Sequence, residues 1–131
     1  MADEERFERW EPIDGLVPKM RLDAMLDDRE GFRLILKPAD PKLRELRILF
    51  DAPLCYRGTQ EKYLLRSIYE GNSIYPWPIF IVRNSRYVRW FYAQATEAID
   101  KDGHHYHIAA TDQIVDVLSA RPPIVSWLQD A

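Results

Sequence analysis

Between residues 79 and 118 four short patterned runs follow one another, each bounded by turn or capping residues, and they leave little freedom in how the chain can fold. Ile79-Phe-Ile-Val82 is a continuous apolar run of strand length, the pattern of a strand buried on both faces. Asn84 or Ser85 can cap a helix in which Val88, Phe91, Tyr92, Ala95 and Ile99 fall at helical spacing and form a core stripe. Asp100-Lys-Asp-Gly103 is turn chemistry. His105 to Ala110 reads as a strand. Thr111 or Asp112 then caps a short helix through Ile114, Val117 and Leu118, which Arg121-Pro-Pro123 ends.

The first half is read by the same rules. Met20, Leu22, Ala24 and Leu26 alternate with Arg21, Asp23 and Met25, which favours a strand; Leu22, Met25 and Leu26 also fit a short helix. The polar turn from Asp27 to Gly31 leads to Phe32, Leu34 and Leu36, so the two runs make a hairpin. Pro38 and Pro41 stop the second run because neither can donate to a ladder. Leu46, Ile48 and Phe50 form a third strand, with Arg47 and Leu49 on its other face. Gly58-Thr59 opens a helix with Tyr63, Leu64, Ser67 and Ile68 as its stripe, up to Gly71. Pro76 and Pro78 flank Trp77 in a loop, and Ile124 to Leu128 is a final extended or helical piece.

The expected order is β-β-β-α-β-α-β-α. This is an α+β fold with a mixed, mainly antiparallel sheet and helices packed mostly on one face. Residues 19–131 form a single domain, and residues 1–18 an acidic N-terminal arm that Trp10 anchors. A chain of 131 residues with 47% hydrophobic and 30% charged residues has the size and balance of one globular core. No run approaches the eighteen consecutive apolar residues of a transmembrane helix. The acidic start, Met1 to Arg6, lacks the apolar centre of a signal peptide. The expected location is therefore the cytoplasm.

Charge is unevenly placed. Residues 1–30 carry ten acids and five bases, a balance of −5, whereas residues 31–131 carry eleven acids and thirteen bases, +2. The mild acidic excess argues against nucleic acid as a ligand and suits a basic protein partner. The single cysteine, Cys55, excludes an internal disulfide and reads as a small buried apolar residue.

Three groupings offer chemistry. In His104-His105-Tyr106-His107 the second and fourth residues share one face of a strand, a spacing at which two imidazoles can ligate zinc or nickel. Asp102 or Asp112 would have to supply a third ligand. The plainer reading, adopted here, is the polar face of a half-exposed strand with no metal and no cofactor. Asp51, Arg57 and Glu61 could hold an acid/base pair, but an arginine fixing a loop through a carboxylate is the commoner arrangement. No serine lies in a G-x-S-x-G elbow, and no phosphate loop or H-E-x-x-H occurs, so no catalytic residues are assigned.

The third grouping is aromatic and arginine-rich. Tyr87 and Trp90 lie off the expected core stripe, with Arg83, Arg86 and Arg89 near them, and the preceding loop adds Tyr75 and Trp77. Trp, Tyr and Arg dominate the binding energy of protein–protein interfaces. Tyr75, Trp77, Tyr87, Trp90 and Arg86 are thus the expected anchors, and Asp3, Glu4 and Glu5 the acids that steer a basic partner.

Several pieces resemble small bacterial immunity proteins. They are Leu46-Arg-Ile-Leu-Phe50 with Tyr56-Arg-Gly-Thr-Gln-Glu61, Val82-Arg-Asn-Ser-Arg-Tyr-Val-Arg-Trp-Phe91, and His105-Tyr-His-Ile108 with Asp112-Gln-Ile-Val-Asp-Val-Leu-Ser119. The resemblance is to immunity proteins of toxin systems of the Rhs, contact-dependent and type VI effector kinds. It implies a cytoplasmic binder that neutralises a cognate toxin by occlusion, and no catalytic residues. The rival readings are a small enzyme using His105 and His107, and a homodimeric regulatory or structural protein that turns the aromatic face on itself.

Overall fold

A computed structural model of the protein describes residues 4–60, 77–94 and 103–129. Among these the chain forms nine strands and one helix. In chain order they are β1 (Arg6–Arg9), β2 (Met20–Asp28), β3 (Gly31–Pro38), β4 (Leu46–Phe50), β5 (Cys55–Gln60), β6 (Ile79–Arg83), α1 (Arg86–Gln94), β7 (His104–Ala109), β8 (Gln113–Ser119) and β9 (Ile124–Trp127). Sheet one runs β1-β6-β7-β8-β5 and sheet two β2-β3-β4-β9. Every pairing is antiparallel.

The hairpin read at residues 20–36 is β2 and β3. It turns where Asp28 pairs with Gly31, and the Asp28 carboxylate accepts the Glu30 N–H at 2.8 Å. Gly31 stands at φ 104°, and a β-carbon there would lie 2.9 Å from Leu49 Cδ1. Strained backbone of this kind costs about 1–3 kcal/mol. Gly31→Ala is expected to lower stability by about 1–2 kcal/mol in a urea melt; an unchanged midpoint would show that the turn re-forms freely.

One core lies between the two sheets. Sheet two supplies Phe32, Leu34 and Leu36 from β3 and Leu46, Ile48 and Phe50 from β4, on alternating positions. Sheet one supplies Ile79, Tyr106, Ile108, Val115 and Val117. The rings of Phe50 and Tyr106 meet across the gap at 5.6 Å. The architecture is two packed antiparallel sheets, a sandwich.

This corrects the α+β expectation with three helices and a mixed sheet. The residues read as a helix from Gly58 begin inside β5, where Gly58 pairs with Val115 and Thr59 with Ile114. The residues read as a last helix are β8. The run from Ile114 to Ser119 is buried throughout, and a segment buried on both faces has no periodicity to separate strand from helix. Its branched residues Ile114, Val115 and Val117 favour the strand. Asp112, read as a cap, instead accepts the Leu22 N–H at 3.1 Å and ties the β7–β8 turn to sheet two.

The first residues are built into the sheets as well. Residues 6–9, within the segment read as an arm, pair with β6 from Arg6↔Arg83 to Arg9↔Phe80. Trp10, Ile13, Leu16 and Val17 then cross to sheet two while packing on the core. On α1 the buried residue is Tyr87, whereas Val88, Phe91 and Tyr92 are half-buried. The expected stripe is therefore displaced toward the first turn, where the helix meets β7. Ala95, Ile99 and the stripe from Tyr63 to Ile68 lie outside the described residues.

Candidate functional site

The face of sheet one turned away from the sandwich core carries the polar chemistry. Strand alternation puts His105 and His107 of β7 on this face, while Tyr106 and Ile108 point into the core. Register then places Asp116 of β8 opposite His107 on one side and Arg57 of β5 on the other. Asn84, at φ 54°, turns the chain out of β6 so that Ser85 opens α1 over β7.

Asp116 is the centre, and only 5% of it is exposed. Its Oδ1 lies 2.6 Å from His105 Nε2 and 2.7 Å from His107 Nδ1. Its Oδ2 accepts from Arg57 Nε at 3.3 Å. Burial alone would raise the pKa of this carboxyl. The hydrogen bonds from the two imidazoles outweigh that and hold it well below the usual carboxylate range. An ionised carboxylate only accepts, so both histidine nitrogens facing it carry protons.

The next shell follows from that assignment. In its neutral form, with the proton on Nε2, His105 presents Nδ1 as an acceptor. Ser85 Oγ, 2.6 Å away, donates to it and accepts the Val88 N–H at 3.1 Å. Ser85 is thus the helix cap and the link between helix and cluster. Tyr87 packs edge-on to His105 at 5.5 Å, and its hydroxyl lies 3.3 Å from Cys55 Sγ. Burial raises the pKa of both the phenol and the thiol, so each is protonated at neutral pH. Phe7 and Phe80 pack on His107 at 4.9 and 5.9 Å.

Ser85, His105 and Asp116 stand in the order of nucleophile, base and orienting acid. Ser85 is 6% exposed, however, and its oxygen is engaged by the helix.

Above the cluster the guanidinium of Arg57 lies 4.0 Å over the Tyr87 ring. Trp90 stacks against Tyr87 at 5.8 Å with an interplanar angle of 21° and is 55% exposed. The residues expected to form one exposed aromatic face are therefore divided. Trp90 is on the surface. Tyr87 is buried because it bridges helix and sheet. Trp77 is buried too: its indole N–H donates to Trp10 O at 2.9 Å, and Arg9 covers its ring at 3.9 Å. Arg86 is exposed, and its backbone N–H donates to Glu5 Oε2 at 2.8 Å. The Glu4 carbonyl accepts from Asn84 Nδ2 at 3.3 Å, so Glu4 and Glu5 also brace the start of α1. Tyr75 and Asp3 lie outside the described residues.

The histidine strand is not the half-exposed face expected of it; His105 and His107 are both buried. A helical reading of β8 conceals Asp116 as their partner, because it removes the strand alignment with β7. The signal was present as one acid inside the apolar run Ile114-Val-Asp-Val-Leu118. Asp112 serves the edge of sheet two, Asp51 pairs with Arg121 at 3.1 Å, and Asp102 and Glu61 lie outside the described residues. No helix among the described residues is long and apolar enough to cross a membrane. Comparison with known protein families, with curated proteins and with solved structures finds no match for this chain.

Proposed function

We propose that this protein binds another protein through the surface around Trp90, and that its partner is a bacterial toxin which it neutralises by occlusion. The observation that carries the reading is the state of Trp90, exposed yet held. Its ring lies on Tyr87, which is itself covered by Arg57 and fixed beneath the helix. An aromatic anchor ordered before contact loses little freedom on binding. Exposed tryptophan beside Arg57, Arg86 and Arg89 also has the composition of an interface hot spot.

The resemblance of three sequence pieces to immunity proteins supplies the class of partner. Such a protein acts in the cytoplasm without chemistry of its own. Its net charge of −3, with the acids concentrated in the first thirty residues, attracts a basic partner at long range.

The test is co-purification with the product of the adjacent gene, paired with protection of cells that express it. Separate elution at micromolar concentration together with no protection removes the reading. Within the complex, Trp90→Ala is expected to weaken binding by about 2 kcal/mol, roughly 30-fold, while folding stability changes by less. Both free energies are read on the same variant. Full affinity with a large loss of stability would assign Trp90 to the fold.

A further inference from the structure

We propose that His105, His107 and Asp116 form a binding site for a divalent first-row transition metal, with zinc as the expected occupant. The three offer two imidazole nitrogens and one carboxylate oxygen, all within 4.8 Å of one another and all buried. This is a zinc ligand set with a fourth position left for water. It comes from adjacent antiparallel strands, whose backbones fix the spacing.

The surrounding groups are those a metal centre needs. A ligating histidine is oriented by a partner on its other nitrogen, and a ligating carboxylate by a donor on its other oxygen. Ser85 Oγ stands 2.6 Å from His105 Nδ1, and Arg57 Nε stands 3.3 Å from Asp116 Oδ2. Arg57 thereby restricts Asp116 to one-oxygen ligation through Oδ1. The negative charge of Asp116 and the positive charge of Arg57 cancel. The ion would then meet the charge balance of a site built from neutral imidazoles alone, an arrangement zinc accepts.

The metal-free arrangement leads directly to the bound one. Two N–H groups converge on a single oxygen at 2.6 and 2.7 Å. A divalent ion takes the place of those two protons. Bonds near 2.0 Å in tetrahedral geometry set ligand atoms about 3.3 Å apart, so the Asp116 carboxylate withdraws toward Arg57 as the ion enters. His105 then carries its proton on Nδ1 and donates it to Ser85. With neutral imidazoles no net proton leaves the two rings on binding: that of His105 moves from Nε2 to Nδ1 and that of His107 from Nδ1 to Nε2, and a proton is released only by ionisation of a water in the fourth position.

The experiment uses the full chain without a histidine tag, stripped with chelator and titrated with Zn2+ and with Co2+ as a visible probe. One equivalent is expected to bind, with cobalt d–d bands of a four- or five-coordinate site and a raised melting temperature. His107→Ala should weaken Co2+ binding at least tenfold and Ser85→Ala about 10- to 100-fold, whereas the exposed neighbour His104→Ala should stay within about twofold. Circular dichroism confirms that each variant is folded, and His107→Gln replaces His107→Ala if the latter is not. Binding below about 0.1 equivalent at micromolar free metal overturns the proposal on wild-type protein alone. So does binding that His104→Ala abolishes and the folded His107 variant leaves intact. Neither outcome bears on the toxin-binding reading, which has its own assay.

Discussion

Asp116→Ala should destabilise the metal-free protein by about 3–5 kcal/mol at neutral pH. The substitution removes the common acceptor of two buried imidazole N–H groups and leaves both without a partner. Arg57 loses less, because it is more than half exposed and reaches water. Asp116→Asn keeps the shape and one acceptor oxygen, so its loss should be smaller, about 1–2 kcal/mol. Urea melts in the presence of chelator read both values. Equal and small losses would show that the cluster contributes little to stability.

The same carboxylate sets a pH dependence of definite sign. Its pKa is lower in the folded chain than its ordinary value near 4. Its contribution to stability is therefore complete above that ordinary value and is lost progressively as pH falls toward the folded one. Wild type should lose stability below about pH 4 more steeply than Asp116→Asn, which has no such group to titrate.

Phe50→Ala should cost about 3–5 kcal/mol, the range for an aromatic side chain removed from a close-packed core. Phe50 is fully buried at the end of β4, 6.1 Å from the ring of Phe32 and 5.6 Å from that of Tyr106. It therefore joins sheet two to sheet one. A loss under about 1 kcal/mol would mean that the sheets can close the gap by sliding together.

How far the fold can be read from the residues depends on whether an element has one buried face or two. The hairpin of β2 and β3 is legible because Phe32, Leu34 and Leu36 alternate with half-exposed residues. The helix from Arg86 is legible from its capping serine. β8 is not: buried on both sides, its Ile114, Val117 and Leu118 fit a helical period equally well. That single ambiguity also hid the site. The pairing of His105 and His107 on one face follows from strand geometry, but Asp116 joins them only once β8 is laid beside β7. The exposure of Trp90 follows from its place off the line of Val88 and Phe91. The burial of Trp77 does not, since two flanking prolines announce only a loop. What holds Trp77 inward is the hydrogen bond from its indole N–H to the carbonyl of Trp10, sixty-seven residues earlier.

The order of strands in sheet two bears on when the protein can fold. β4 pairs with β9 from Leu46↔Trp127 to Leu49↔Ile124, so the sheet gains its fourth strand from residues made some eighty positions later. β1 likewise waits for β6, with Arg6 opposite Arg83. Contacts so distant along the chain slow folding, typically to milliseconds or seconds. During synthesis the β2–β3–β4 meander can emerge and pair locally, but one side of β4 stays open until Trp127 has left the ribosome. Over that interval the nascent chain presents an unpaired strand edge, the feature by which β-rich chains aggregate or engage chaperones.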